Sequence, residues 1–219
     1  MKKVSLRIDG KEINAEEGAN LLWTILDNGI YIPNLCAIRE KEEPSASCRL
    51  CFVEIEGYQR PVTACTEKVS EGMVVNTKGE ESLRLASTGF ELLMASHPVD
   101  CAHCLATGHC ELQKIAAHLK IRINTKRFTK IIPDLPIDES HPKYIHDPNK
   151  CVLCGRCVWI CRKNGSGAFG FAHRGFDRVV APFRNMSLIE IDCTGCDECV
   201  NACPTAALAL KNADRGQFG

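Results

Sequence analysis

Two stretches of this chain repeat one arrangement of thiols. Cys151, Cys154, Cys157 and Cys161 read C-x2-C-x2-C-x3-C, and Cys193, Cys196, Cys199 and Cys203 repeat that spacing, ending in Cys203-Pro204. Three closely spaced thiolates grip three corners of a 4Fe-4S cube, while the fourth of each quartet points away and ligates the other cube. The spacing therefore predicts one centre on Cys151, Cys154, Cys157 and Cys203, and a second on Cys193, Cys196, Cys199 and Cys161. Structural zinc also uses C-x2-C pairs, but such sites leave no use for a third cysteine at the same short spacing.

Two further groups lie upstream. Cys36, Cys48, Cys51 and Cys65 form a C-x11-C-x2-C-x13-C set, and four cysteines in one small module match a 2Fe-2S cluster. The spacing departs from the plant-type C-x4-C-x2-C pattern, so on spacing alone zinc stays open. Next, Cys101, Cys104 and Cys110 are interleaved with His97, His103 and His109 within fourteen positions. Three cysteines cannot fill a four-ligand site, so one histidine is wanted.

The elements that position these groups are legible in outline. Val4, Leu6 and Ile8 alternate as a half-buried strand, Asp9-Gly10 is a hairpin signal, and Glu12 to Ala15 returns as a second strand. Leu22, Ile25 and Leu26 give one apolar helical face, stopped at Gly29. This predicts a small mixed sheet with one helix up to about Thr77. A second helix carries Leu83, Ala86, Phe90 and Leu93 on one side, and a third carries Leu112, Ile115 and Leu119, with His118 as a surface or packing residue. From Ile131 to Pro148 prolines and charges thicken into an irregular connector.

Composition narrows the function classes. The 219 residues include fifteen cysteines, and the 27 lysines and arginines balance 27 aspartates and glutamates, without the basic excess that nucleic-acid binding needs. The N-terminus reaches charged residues before an apolar signal core can form, no twin-arginine signal precedes it, and no apolar run approaches the roughly 18 residues of a membrane span. The expectation is a cytoplasmic chain without a direct membrane span, whose thiols serve metal ligation rather than disulfides.

The run from Ile32-Pro33-Asn34-Leu35-Cys36 through Cys48-Arg49-Leu50-Cys51-Phe52-Val53-Glu54 to Ala64-Cys65 resembles the N-terminal 2Fe-2S domain of three kinds of protein. They are iron-only hydrogenases, the large iron–sulfur subunit of respiratory complex I, and the diaphorase-side subunits of NAD-linked hydrogenases. The resemblance implies a beta-grasp 2Fe-2S ferredoxin domain held by Cys36, Cys48, Cys51 and Cys65. The same family carries a 4Fe-4S cluster on an H-x3-C-x2-C-x5-C pattern, which falls on His97, Cys101, Cys104 and Cys110. His103 and His109 are then expected to be exposed or to lie outside the ligand set. The implied fold class is α+β in three parts: residues 1–78 as the beta-grasp domain, 79–130 as a helical His/Cys3 module, and 131–219 as linker and two-cluster 4Fe-4S ferredoxin domain.

With these assignments all fifteen cysteines and His97 make sixteen ligands, enough for one 2Fe-2S and three 4Fe-4S clusters with four ligands each. No thiol is left for nucleophilic catalysis. Gly165-Ser166-Gly167-Ala168-Phe169-Gly170 matches G-x-G-x-x-G, with Glu190 downstream. It follows a cluster motif and leads into an alternating Phe169–Val180 hairpin around Arg174-Gly175, whereas a dinucleotide site needs a strand before the glycines and a helix after them. The expectation is a loop.

After Ala206-Ala207-Leu208 only a short polar tail follows, unlike iron-only hydrogenases and complex I large subunits, which continue into further domains. The retention of both quartets, although Arg162 replaces the usual proline after the fourth cysteine, also favours the hydrogenase-associated members. The resemblance thus implies a non-catalytic electron-transfer subunit of an NAD(P)-linked nickel-iron hydrogenase. Its partners would be a flavin- and NAD(P)-binding diaphorase subunit, a small thioredoxin-like 2Fe-2S subunit, and the nickel-iron hydrogenase small and large subunits. The same relay in an NAD-dependent formate dehydrogenase or complex I-like assembly is one alternative, and a zinc-binding assembly scaffold is another.

Overall fold

Asp9 and Gly10 both adopt positive φ, 50° and 82°, so the chain reverses in two residues. That turn joins β1 (Lys3–Ile8) to β2 (Lys11–Glu16), with Leu6 opposite Ile13. The computed structural model describes residues 2–211; the expected polar tail, from residue 212 on, lies outside them. One compact unit takes in the chain up to Leu92 with His118–Ile121, and the other Leu93–Ala117 with the chain from Arg122.

In the first unit β3 (Phe52–Ile55), β4 (Val62–Thr63) and β5 (Val74–Asn76) complete a five-stranded sheet of order β2-β1-β5-β3-β4. β1 and β5 run parallel; the other pairings are antiparallel. Helix α1 (Leu21–Asp27) buries Leu21, Leu22 and Ile25 in one core with Val4, Leu6, Ile8, Val53 and Val75. Its N-terminus is capped by Asn20, whose Oδ1 accepts from Leu22 N at 3.1 Å and whose Nδ2 donates to the Cys65 carbonyl at 2.7 Å. The cap thus ties helix to thiol loop.

Helix α2 (Glu80–Ala95) starts against a remote cap. Glu54 on β3 accepts from the N–H groups of Glu81 and Ser82, both at 3.1 Å, satisfying two of the free donors at the helix start. The buried row is Ser82, Ala86, Phe90 and Met94, with Leu83 and Leu93 half-buried, so the apolar face is rotated slightly from the expected one. Gly89 lies against the loop that carries Cys48 and Cys51: a Cβ there would sit 2.6 Å from the Arg49 carbonyl oxygen.

The second unit contains α3 (Glu111–Leu119) up to Ala117, α4 (Arg156–Lys163), α5 (Glu198–Asn201) and two strand pairs. β7 (Phe169–Ala172) and β8 (Val179–Pro182) form the expected hairpin, with Gly175–Asp177 as its 3-10 turn. The connector is less irregular than its composition implied. It ends in β6 (Tyr144–His146), paired antiparallel with β9 (Leu208–Leu210). Each is three residues long, too short to show a period.

Gly89→Ala is expected to lower stability by about 1–3 kcal/mol, because the added methyl meets backbone rather than a flexible side chain. Denaturant unfolding should show a lower midpoint. An unchanged midpoint would mean that α2 does not press on that loop.

Candidate metal centres

The first set of thiols gathers beside the sheet. Cys51 directly precedes β3 and Cys65 follows β4, so the β3–β4 pairing brings them together, and Ala64 N donates to the Cys51 carbonyl at 2.8 Å. Cys36 and Cys48 arrive on loops, their sulfurs 3.5 Å apart. All four are buried, at most 7% exposed. The hydrogen bond between Cys36 and Cys48 holds the Cys36 thiol down to about 5, and that same contact, with burial, pushes Cys48 up. Cys51 and Cys65 behave alike: the bond between them raises Cys51 and lowers Cys65. Two pairs of thiols, each joined by a hydrogen bond, offer the soft donors that a metal binds once they lose their protons.

Cys101 begins the 3-10 turn Cys101–His103, Cys104 follows it, and Cys110 precedes α3. Burial raises the Cys110 thiol, with repulsion from Cys104 and Cys101 adding to it. His97 is buried, and its Nδ1 has no hydrogen-bond partner. Burial holds its pKa down to about 4, with the Lys150 ammonium adding to the effect. A neutral imidazole with one free, buried nitrogen is the form that ligates a metal. His103 is exposed and contacts Asp100 at 2.9 Å, as expected of a histidine outside the set. His118 packs edge-on against Tyr31, ring centroids 4.8 Å apart.

The two quartets repeat in backbone as well as sequence. Leu153 and Gly155 have φ of 53° and 76°; their counterparts Gly195 and Asp197 have 68° and 62°. In each loop the N–H two residues on reaches the first sulfur: Leu153 N to Cys151 Sγ and Gly195 N to Cys193 Sγ, both 3.4 Å. The second left-handed residue is in each case the cap of the helix that follows. Asp197 there receives the Lys143 ammonium and the Tyr144 hydroxyl.

The thiols then sort across the repeat. One cavity is lined by Cys151, Cys154, Cys157 and Cys203, together with His146, Val180 and Thr205. Another is lined by Cys161, Cys193, Cys196 and Cys199, with Asn164 and Ser166. Thiol electrostatics follow the same grouping. Burial raises Cys151 to about 12, and repulsion from Cys154 and Cys203 adds to it; burial raises Cys199 to about 12, and repulsion from Cys161, Cys193 and Cys196 adds to it. A wider cavity of about 360 Å³, walled by Glu54, Tyr58, Arg60 and Glu81, carries no cysteine.

The glycine run has a role that its motif did not reveal. It lies between α4 and β7, the reverse of a strand-to-helix dinucleotide turn, and wraps Cys161: Gly167 N donates to the Cys161 carbonyl at 3.1 Å and Ala168 N to its sulfur at 3.2 Å. Ser166 Oγ is 3.6 Å from the same sulfur, and Asn164 Nδ2 donates to Cys196 Sγ at 3.6 Å. Thr205 Oγ1 similarly lies 3.7 Å from Cys203 Sγ. Sequence reasoning missed these three; their one signal was adjacency to a cysteine.

Three family models match parts of the chain. Residues 1–80 match a 2Fe-2S iron–sulfur cluster binding domain, 88–124 the NADH-ubiquinone oxidoreductase-G iron–sulfur binding region, and 150–207 a 4Fe-4S dicluster domain. The chain is 34% identical over 95% of its length to NADP-reducing hydrogenase subunit HndD of Solidesulfovibrio fructosivorans, spanning 36% of that protein. It is 32% identical to the gamma subunit of NAD-reducing hydrogenase HoxS of Cupriavidus necator, over 92% of this chain and 79% of that one. It superimposes on a chain of an NAD+-reducing [NiFe]-hydrogenase in the H2-reduced state with a TM-score of 0.87 and 30% identity, covering 99% of this chain and 90% of the other. Among the described residues no helix is long and apolar enough to cross a membrane.

Paired substitutions probe the repeated loops. A Cβ on Gly155 would meet Phe171 Cζ at 3.1 Å, whereas one on Gly195 meets nothing within 4 Å. Gly195→Ala should therefore cost only the left-handed backbone penalty, about 1–2 kcal/mol, and Gly155→Ala more than that. Unfolding midpoints measured side by side check the order; equal losses would mean that Phe171 does not press on the loop.

Proposed function

This chain belongs to the iron–sulfur subunit family that includes the gamma subunit of NAD-reducing hydrogenase, and we propose that it relays single electrons between a flavin- and NAD(P)-binding diaphorase subunit and a nickel-iron hydrogenase module. A small thioredoxin-like 2Fe-2S subunit completes the diaphorase side. A chain that keeps fifteen thiols for metal fits a reducing, cytoplasmic setting. Residues 1–78 form a beta-grasp 2Fe-2S domain, 79–130 a His/Cys3 module, and 131–219 a linker and two-cluster domain.

The ligand sets are Cys36, Cys48, Cys51 and Cys65 for one 2Fe-2S cluster, and His97, Cys101, Cys104 and Cys110 for a 4Fe-4S cluster. Cys151, Cys154, Cys157 and Cys203 hold a second 4Fe-4S cluster, and Cys161, Cys193, Cys196 and Cys199 a third. The observation that carries this reading is the pair of cavities, each walled by three thiols of one quartet and the last thiol of the other. When bound, the clusters supply one-electron transfer without bond making. The chain's own residues hold the thiolates at fixed spacing, bury eight of the fifteen, and supply N–H groups to the charged sulfurs. A buried imidazole in place of a thiolate leaves the His97 set with one negative charge fewer than a four-thiolate set.

Anaerobically purified protein should carry about 14 irons per chain with matching acid-labile sulfide. Stoichiometric zinc without sulfide would sink the reading. Cys161→Ser should perturb the centre of Cys193, Cys196 and Cys199 and spare that of Cys151, Cys154 and Cys157; the reverse pattern would make each quartet self-contained. The isolated chain should neither oxidise NADH nor evolve hydrogen, and adding the flavoprotein partner should let NADH reduce its centres. Hydride transfer by the single chain, abolished by Gly167→Val, would overturn the assignment.

A further inference from the structure

We propose that the tip of the β7–β8 hairpin is a docking knob: Phe176, flanked by Arg174 and Arg178, seats in an apolar pocket with an acidic rim on one partner subunit. The proposal rests on the relay reading above, in which the chain works as one subunit among several.

The tip is left bare by its own chain. His173 and Gly175 adopt φ of 56° and 64°, and the 3-10 turn Gly175–Asp177 buries none of its residues. Phe176 is 95% exposed, and a Cβ on Gly175 would meet nothing within 4 Å. A single exposed apolar side chain is ordinary, but this one has company. Of the ten large apolar side chains exposed among the described residues, five fall between positions 171 and 189. Charge gathers in the same stretch: residues 156–186 hold six lysines and arginines against one acidic residue, Asp177, in a chain whose 27 basic and 27 acidic residues balance. A neutral chain that concentrates one sign there is complementary to a partner of the other sign.

Two of these cations are also held in place. The Arg178 guanidinium lies 3.9 Å from the centroid of the Phe171 ring, and that of Arg184 lies 5.3 Å from the centroid of Phe183. Each ring orders its cation beforehand, which lowers the entropy cost of docking. Aromatic and arginine side chains are the ones that dominate the energy of protein–protein contacts. Behind the tip the same hairpin reaches both pockets: Val180 lines the cavity of Cys151, Cys154, Cys157 and Cys203, and Phe169 that of Cys161, Cys193, Cys196 and Cys199. A redox subunit gains from sitting against such a hairpin; a lipid surface or a nucleic acid does not. Anionic lipid is the weaker fit in number too, since its recognition takes roughly four to eight clustered lysines and arginines, and the tip has two.

The test is binding of the full, iron-loaded chain to the purified nickel-iron hydrogenase module and to the purified flavoprotein, each in turn and at two salt concentrations. Phe176→Ala should weaken the hold on one module by about thirtyfold, the loss expected of a central aromatic anchor, and leave the other unchanged. Phe176→Trp, which keeps an aromatic ring, should restore most of that binding. Arg174→Glu should weaken the same module and flatten the salt dependence of its association. Iron content and the EPR spectra of the centres should stay as in the wild type. Undiminished binding of both modules by the Phe176→Ala chain, or equal losses to both, would overturn the proposal. So would an effect of that substitution confined to vesicles with anionic headgroups or to self-association of the chain. A wild-type chain that holds neither module would overturn the relay reading itself.

Discussion

Three side chains two residues apart face a common point only if the backbone between them turns in the sense that L-residues avoid. The second unit accepts that strain at Leu153 and Asp197, where its own repeat uses glycine in the counterpart place. Asp197 is held there by the Lys143 and Tyr144 side chains, and Leu153 packs against the apolar core around α4. The helices, the short strand pairs and the wrapped glycine run all serve to keep those two turns closed.

A helix turn then converts repetition into crossing. Cys157 and Cys161 sit four residues apart on α4, on one face but a turn apart in height, and they line different cavities. The repeated quartet therefore yields two interlocked pockets rather than two independent ones. In the first unit the same end is reached without repetition. A sheet edge brings Cys51 beside Cys65, and the Asn20 cap binds the helix to that edge.

Much of this was legible in the sequence because cysteine spacing is a local code: the chain's own step length sets which sulfurs converge. The first hairpin and the three early helices were legible too, since alternation and helical periodicity leave their marks over six to sixteen residues. β6 and β9 were not, being three residues each and stabilised by one another across the whole second unit. The contact of Gly89 with the Arg49 carbonyl was equally hidden, because nothing in a helical glycine announces what it packs against. Asn164, Ser166 and Thr205 escaped for another reason. Their contacts with thiols arise from folded geometry, and the one local signal was adjacency to a cysteine.

The interlocking of the pockets also bears on how the protein would wear out. Each quartet contributes to both walls, so on the proposed ligand sets an oxidant that stripped iron from the centre beside the exposed Cys196 would free Cys161, and with it the grip of α4 on its neighbour. A loss that begins at the surface is thus transmitted inward, to the pocket that Cys157 and Cys203 help to close. Two separate pockets would age independently; these would fail, and need repair, as a pair.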